Sequence, residues 1–379
     1  MILNGLLNTL TILNLGQRFL RGQWADPDKR AIRRHRSEFY AKAWEGAAAQ
    51  TGSTIELLGE GIFRITNGGS SFVVYQHYTP LIDAAVERLI LNKVIINKFL
   101  GKMDVPIPRY IHLKDVNISA AKSFMSEIDG PLVVKPASGT AGGDGVVTNI
   151  TRARGLYQAI AWSRAFCKET IIEEQIKGDN YRLLFLDGKL LDCIIRRPPT
   201  VKGDGVSSIR HLIRQENKKR IKLGSQLAQD LIYMDLDAKS TLAAQGFSLN
   251  TKPAKGQIIK VKDVINCNRG EENESPPEGP AESLLSIGRK ISETIGVRLF
   301  GVDIITNDLT VDLRESGGRV IEINTPPGHY YHHMKKGEGC SVALRLLQQL
   351  LKDQTGKSQS SQPFQQTSTT GFVKPQIKS

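Results

Sequence analysis

Apolar positions along this chain fall into two periods, and the alternation between them lays out an α/β protein. Residues 39–50 carry helical spacing and lead into three short β-branched runs at 54–58, 63–66 and 71–75, each separated from the next by glycine. Residues 83–100 read as a helix broken near Asn92, stopped by the Val105-Pro106-Ile107-Pro108 segment because proline cannot continue a helix. Strand-like runs at 132–135 and 146–148 flank a glycine-rich turn; residues 152–167 are helical in spacing and 170–176 form a further strand. Two apolar runs at 181–186 and 189–195 meet at Asp187-Gly188, a strong hairpin signal. A helix follows Gly203-Asp204-Gly205 from 208 to about 217, and no element is assigned across the polar stretch 218–255. An acidic, proline-containing loop at 270–280 precedes a helix at 282–295, two buried strands at 300–306 and 319–324, and a last helix at 341–352.

This pattern divides the chain into an N-terminal helical and small α/β domain (1–80), a central helical linker (81–128), an α/β unit with a glycine turn (129–197), a C-terminal unit (198–353) and a polar tail (354–379). The tail is rich in Ser, Gln, Thr and Lys and is expected to remain disordered, having too little apolar area to offset ordering. At the other end, Ile2, Leu3, Leu6, Leu7, Leu10, Leu13 and Leu20 recur at helical spacing. Three asparagines and two threonines interrupt them, which makes a poor membrane span, and the flanks of a secretory signal are missing. Packing on the core is the expectation here, ahead of a membrane surface or a partner.

Chemistry concentrates in the two C-terminal strands. They carry Asp303, Glu322 and Asn324, and residues two apart on a strand face the same side. Hard oxygen donors near the ends of neighbouring strands suit Mg2+, which takes one or two carboxylates and leaves its other positions to water and phosphate. Taken alone, the trio also fits ordinary polar residues where a strand meets a loop. The turn from Pro136 to Gly145 has neither the Walker nor the dinucleotide spacing. Placed between two strands, it reads either as a plain hairpin turn or as a flap whose N–H groups cover phosphates, with Lys135 at its root.

Charge and cysteine usage narrow the classes further. The net charge of +13 attracts polyanions without separating nucleotides from nucleic acid, and much of the excess crowds residues 18–36, where a solvated face is the default. The four cysteines, Cys167, Cys193, Cys267 and Cys340, include no C-x-x-C pair, which argues against a zinc knuckle or a disulfide framework and for a reducing cytoplasm.

Taken in order, a longer set of markers resembles the ATP-grasp carboxylate–amine ligases, and within them the ligase domain of cyanophycin synthetase and its stand-alone relatives. These are Gly59-Glu60-Gly61-Ile62-Phe63-Arg64, Asn92-Lys93, Val133-Val134-Lys135-Pro136 with the flap, and Ile172-Glu173-Glu174-Gln175-Ile176-Lys177-Gly178. Tyr181-Arg182-Leu183-Leu184, Arg196 before Gly203-Asp204-Gly205, Asn266, Asp303 and Glu322-Ile323-Asn324 complete the set, which spans residues 57–351. The resemblance implies an α/β (α+β) ATP-grasp fold, in which two α/β subdomains grip ATP beside a smaller N-terminal α/β domain.

The same resemblance assigns roles. Lys93 and Lys135 match phosphate-contacting lysines, and the flap, with Ser138, Gly139, Gly142, Gly143 and Gly145, matches a phosphate lid. Glu173, Glu174 and Ile176 match the adenine hinge, and Asn180 stands where the family has a ribose-binding acid. Asp303, Glu322 and Asn324 match ligands of Mg2+, with Mn2+ as an alternative. Arg196 is expected to stabilise the tetrahedral oxyanion, ahead of Arg182 and Lys262. Gly328, His332 and His333 fall where acceptor substrates lie, the histidines serving as base, as carboxylate ligand or as part of a loop of stacked aromatics.

The reading is therefore an ADP-forming ligase that makes an amide or peptide bond through an acyl phosphate on amino-acid or peptide substrates. No nucleic-acid partner is expected, and a homo-oligomer is allowed. A small-molecule kinase using the same ATP site, and a non-catalytic nucleotide or polyanion binder, are the competing classes. The family's N-terminal amide-ligase partner and Mur-like domain have no counterpart in this sequence, which puts polymer synthesis in doubt.

Overall fold

The computed structural model describes residues 2–20, 27–140, 142–224, 230–265, 273–336 and 338–360. Asn266, Cys267, Ala141 of the flap and residues 361–379 of the expected tail lie outside the described residues.

Two helices, α1 (Ile2–Leu20) and α2 (Pro27–Gln50), precede an antiparallel meander of β1 (Thr54–Gly59), β2 (Ile62–Asn67) and β3 (Ser70–Tyr75). Glu60 and Gly61 both take positive φ between β1 and β2, as a tight hairpin requires. One face of the meander buries Phe63, Ile65, Phe72 and Val74 against Trp44 and Ala47 of α2, while the other face stays in solvent. Next come α3 (Ala84–Ile90), capped by Asp83, and α4 (Lys93–Lys102), capped by Asn92. The break expected near Asn92 is that second cap: its Oδ1 accepts from Val94 and Ile95 N–H, each at 3.1 Å.

A four-stranded antiparallel sheet follows, built from β4 (Tyr110–Leu113), β5 (Leu132–Pro136), β6 (Val147–Ile150) and β7 (Thr170–Glu174) in the order β4-β7-β5-β6. Helices α5 (Ile118–Glu127) and α6 (Ala153–Arg164) bury one of its faces. The boundary expected at residue 129 therefore cuts this unit, because β4, read as linker, pairs with β7 from Tyr110↔Glu173 to Leu113↔Thr170. At four residues, β4 is too short for its period to stand out.

The hairpin of β8 (Asp179–Leu186) and β9 (Lys189–Arg196) departs from expectation in the same way. It does not join the sheet before it. A second four-stranded sheet is assembled across more than a hundred residues of sequence, in the order β13-β12-β8-β9. Between hairpin and partner lie β10 (Thr200–Lys202), α7 (Ile209–Leu223), α8 (Leu236–Ala244), β11 (Ile258–Lys260) and α9 (Glu282–Ile295). Strand β12 (Leu299–Thr306) pairs with β8 from Leu299↔Leu186 to Thr306↔Asp179, and β13 (Arg319–Asn324) closes the other side after the short α10 (Leu313–Ser316). Apolar periodicity marks β8 as buried but carries no information about which strand it meets.

Elements β10, α7, α8 and β11 form a satellite core around Ile209, Ile213, Leu242 and Val261, filling the stretch left unassigned above. After a one-turn helix, α11 (Tyr330–His333), helix α12 (Val342–Ser360) packs Leu346, Leu347 and Leu350 beside Trp44 and Ile65. It runs eight residues beyond the predicted end. Asp353, the last residue of the expected C-terminal unit, is held by Arg298 at 2.6 Å. In α1, Leu7 enters the core of the first sheet as expected, whereas Leu10, Ile12, Leu13 and Leu15 remain exposed.

Candidate active site between the two sheets

Four residues, 175–178, carry the chain from β7 of the first sheet to β8 of the second, and a cavity of about 350 Å³ opens between the sheets beside this crossing. Its first wall follows from strand alternation: Val133 and Lys135 share a face of β5, and Glu173 of β7, directly opposite Val133, lies on the same face and diagonal to Lys135. Lys135 Nζ lies 2.7 Å from Glu173 Oε2, with both side chains almost fully buried. Burial raises the Glu173 carboxyl above its usual range, and Lys135 only partly offsets it. Lys93, the first residue of α4, reaches the same space from the side, anchored by its N–H to the Ala137 carbonyl at 2.9 Å.

The second wall comes from the large sheet. Asp303 and Glu322 stand opposite each other in the β12–β13 register and both line the cavity. Glu322 Oε1 is 3.0 Å from Lys93 Nζ. Asp303 is gripped by two buried arginines: Arg182 Nε and Nη2 donate to its two oxygens at 2.6 and 2.7 Å, and Arg196 Nη2 lies 2.9 Å from Oδ2. The Asn324 amide donates to the same Oδ2 at 3.2 Å. Burial alone would raise the Asp303 carboxyl, but Arg182 and Arg196 hold it below the usual carboxylate range. Asn180, also on the wall, accepts from Arg196 Nε at 2.8 Å, so its NH2 is the group left for a ligand.

Of the predicted flap residues, Gly142 and Gly143 line the cavity together with Thr140, which the sequence did not single out. Gly139 and Gly145 shape the turn, both at positive φ, while Ser138 Oγ faces Cys167 Sγ at 3.6 Å. A Cβ on Gly145 would stand 2.6 Å from Pro136 Cγ, so this residue keeps the flap folded against its own root. Glu174 and Ile176 also line the cavity, and Glu174 Oε1 accepts from the Arg109 N–H at 2.9 Å.

Lys262 is not brought to the site. It is fully buried in the satellite unit, where its Nζ meets Asp235 Oδ2 at 2.5 Å, and its neighbours Lys260 and Asp263 line the cavity in its place as an ion pair. Sequence carried no signal for that exchange, because no element was placed there. Gly328, His332 and His333, in α11 and just before it, do not line the cavity. The Tyr331 ring packs under the Arg182 guanidinium at 5.5 Å and links this region to the site. His332 is buried, and its Nδ1 pairs with Asp192 Oδ2 at 2.8 Å; burial lowers its pKa, against Asp192. His333 is exposed and packs edge-on against Phe39 at 5.3 Å. His329, passed over in the sequence, is buried against Tyr40 and Trp44.

For a hard divalent cation the donor chemistry fits: two carboxylates and an amide carbonyl on paired strands, with cations adjacent to balance added phosphate. Among the described residues no three His, Cys, Asp or Glu side chains converge as a metal cage. An ion held here would take its remaining ligands from water and substrate oxygens.

Two antiparallel sheets closing on a lysine-lined cavity beneath a glycine flap give this chain an ATP-grasp fold, and it resembles the carboxylate–amine ligases. Among solved structures, the bifunctional glutathione synthetase of Pasteurella multocida superposes with a TM-score of 0.53 at 22% identity, over 82% of this chain and 43% of that one. By sequence, the chain is 27% identical over 267 residues to cyanophycin synthetase of Geminocystis herdmanii, covering 67% of this chain and 29% of that protein. It is 26% identical over 294 residues to the glutathione biosynthesis bifunctional protein of Streptococcus agalactiae, covering 76% of this chain and 39% of the relative. The chain thus spans well under half the length of these relatives. No family model matches it.

Proposed function

We propose that the protein is an ATP-dependent, ADP-forming carboxylate–amine ligase acting on amino-acid or peptide substrates through an acyl phosphate. The observation that carries this reading is the convergence of Lys93, Lys135 and Arg196 with Glu322 and Asp303 on one cavity between two sheets. Similarity to cyanophycin synthetase and to a glutathione biosynthesis protein supports the substrate class.

Attack of a carboxylate oxygen on the γ-phosphorus, with cleavage of the bond to ADP, brings anion to anion, so cations must stand on both sides of the transfer. Lys135 and Lys93 face the cavity from the first wall and Arg196 from the second, and each is already held by a carboxylate that fixes its position. Asp303, Glu322 and Asn324 would hold Mg2+, which when bound neutralises phosphate charge and aligns the transfer. Glu174 and Ile176 hold the adenine edge, and the Asn180 NH2 meets the ribose. The amine then attacks the acyl carbonyl and phosphate departs. Arg196 stabilises the oxyanion, because its guanidinium is buried and fixed by Asn180 and Asp303 before the substrate arrives. We place the acceptor beside Gly328 and α11, reached through Tyr331 and Arg182. No helix among the described residues is long and apolar enough to cross a membrane, and Cys167, Cys193 and Cys340 are free, which supports a cytoplasmic setting.

The test is hydroxylamine trapping with ATP, Mg2+ and a panel of amino acids and short peptides. A hydroxamate that forms with wild type and is lost in Glu322→Ala supports the ligase. A phosphorylated hydroxyl compound without hydroxamate would establish a kinase instead, and the absence of ADP across the panel would remove the assignment.

A further inference from the structure

A second cavity, about 710 Å³ and larger than the first, lies between α1, α6 and α8. Its volume falls in the range of ligand pockets. The floor is apolar, formed by Leu10 of α1, Trp162 of α6 and Leu236 of α8. Around it stand three exposed cations, Arg152, Arg154 and Lys239, none of which forms an ion pair among the described residues. The wall also holds one acid, Asp235, already committed to Lys262 at 2.5 Å and to capping α8 through the Ala238 N–H at 3.1 Å. A concave surface with three unbalanced positive charges above an apolar floor calls for an anionic ligand that also carries apolar groups.

The spacing of the cations narrows the class. Arg152 and Arg154 are two residues apart at the start of α6, so their side chains diverge, and Lys239 reaches in from a different helix. Three separated cations suit several carboxylates spread along a ligand better than one compact phosphate. Asn14 and Gln158 on the same walls offer the amide groups that pair with a peptide backbone.

We propose that this groove binds an acidic peptide with interspersed apolar side chains, at a site separate from the nucleotide cavity and independent of the ligase reading. The experiment is calorimetric titration of the full chain with an acetylated, amidated peptide of alternating Asp and Leu, and with its Asn–Leu counterpart. Binding at least tenfold tighter for the Asp peptide, falling at least tenfold in both Arg154→Ala and Lys239→Ala, is the expected result. The urea unfolding midpoint should be unchanged in both variants, showing that they are folded. Equal binding of the two peptides, equal binding by the variants, or complete competition by ATP would overturn the proposal. So would displacement by inorganic phosphate at the peptide's own concentration, which would mark a simple anion site.

Discussion

The two walls of the nucleotide cavity each bury a carboxylate against cations, yet the two acids move in opposite directions. Glu173 faces one lysine and is raised by burial; Asp303 faces two arginines and an amide and is lowered. The difference is one of stoichiometry: a single contact leaves desolvation dominant, whereas three donors on a fixed frame overcome it. The first sheet thus holds a pair that an incoming phosphate can re-partner, and the second a network that stays assembled.

Breaking the network should have the largest effect. Asp303→Ala leaves two guanidinium groups buried side by side, so we expect loss of hydroxamate formation together with a fall of about 3–5 kcal/mol in unfolding free energy by urea titration. Replacing the pair as a whole separates activity from stability. Lys135→Met combined with Glu173→Leu should cut turnover at least about 100-fold while leaving stability unchanged or raised by about 1–4 kcal/mol. A double variant less stable than wild type would show that both walls work as networks.

Acid titration sharpens the contrast. Because Asp303 is lowered in the folded state, its contribution is present above the ordinary Asp pKa and is lost as pH falls through its folded value. The stability gap between wild type and Asp303→Asn should therefore close on acidification. Glu173 is raised, so its contribution is full below the ordinary Glu pKa and is lost as pH rises through the folded value. Wild type should gain on the Lys135→Met, Glu173→Leu double variant as pH drops from neutral. Parallel curves for the two comparisons would contradict the assigned shifts. The smallest effect concerns the C-terminus: ending the chain after Ser360 should leave stability unchanged, whereas ending it after Lys352 removes Asp353 from Arg298 and should cost within about 1 kcal/mol.

What the sequence made legible follows from what periodicity encodes. Strands β12 and β13 were readable because each is a long β-branched run, and the facing of Asp303 and Glu322 followed once they were neighbours. Lys135 was readable as a cation at the root of the flap and Glu173 only through the resemblance, while their contact was not readable, since it depends on β5 pairing with β7 rather than on either run alone. The partner of β8 was not readable, because an apolar strand advertises burial and leaves its neighbour unspecified. Lys262 misled for a related reason: in the satellite unit a shift of two residues separates a cation sealed against Asp235 from one on the cavity wall.

Gly178 ends the crossing from one sheet to the other at φ +136°, and a Cβ there would stand 2.5 Å from the carbonyl carbon of Thr306. Both obstacles are backbone, so no rotamer relieves them. Randomising position 178 and selecting for a folded chain should return glycine alone, whereas Gly139 of the flap, at φ +72° but with nothing within 4 Å of a built Cβ, should also be recovered as asparagine or aspartate whenever selection is for folding and not for turnover.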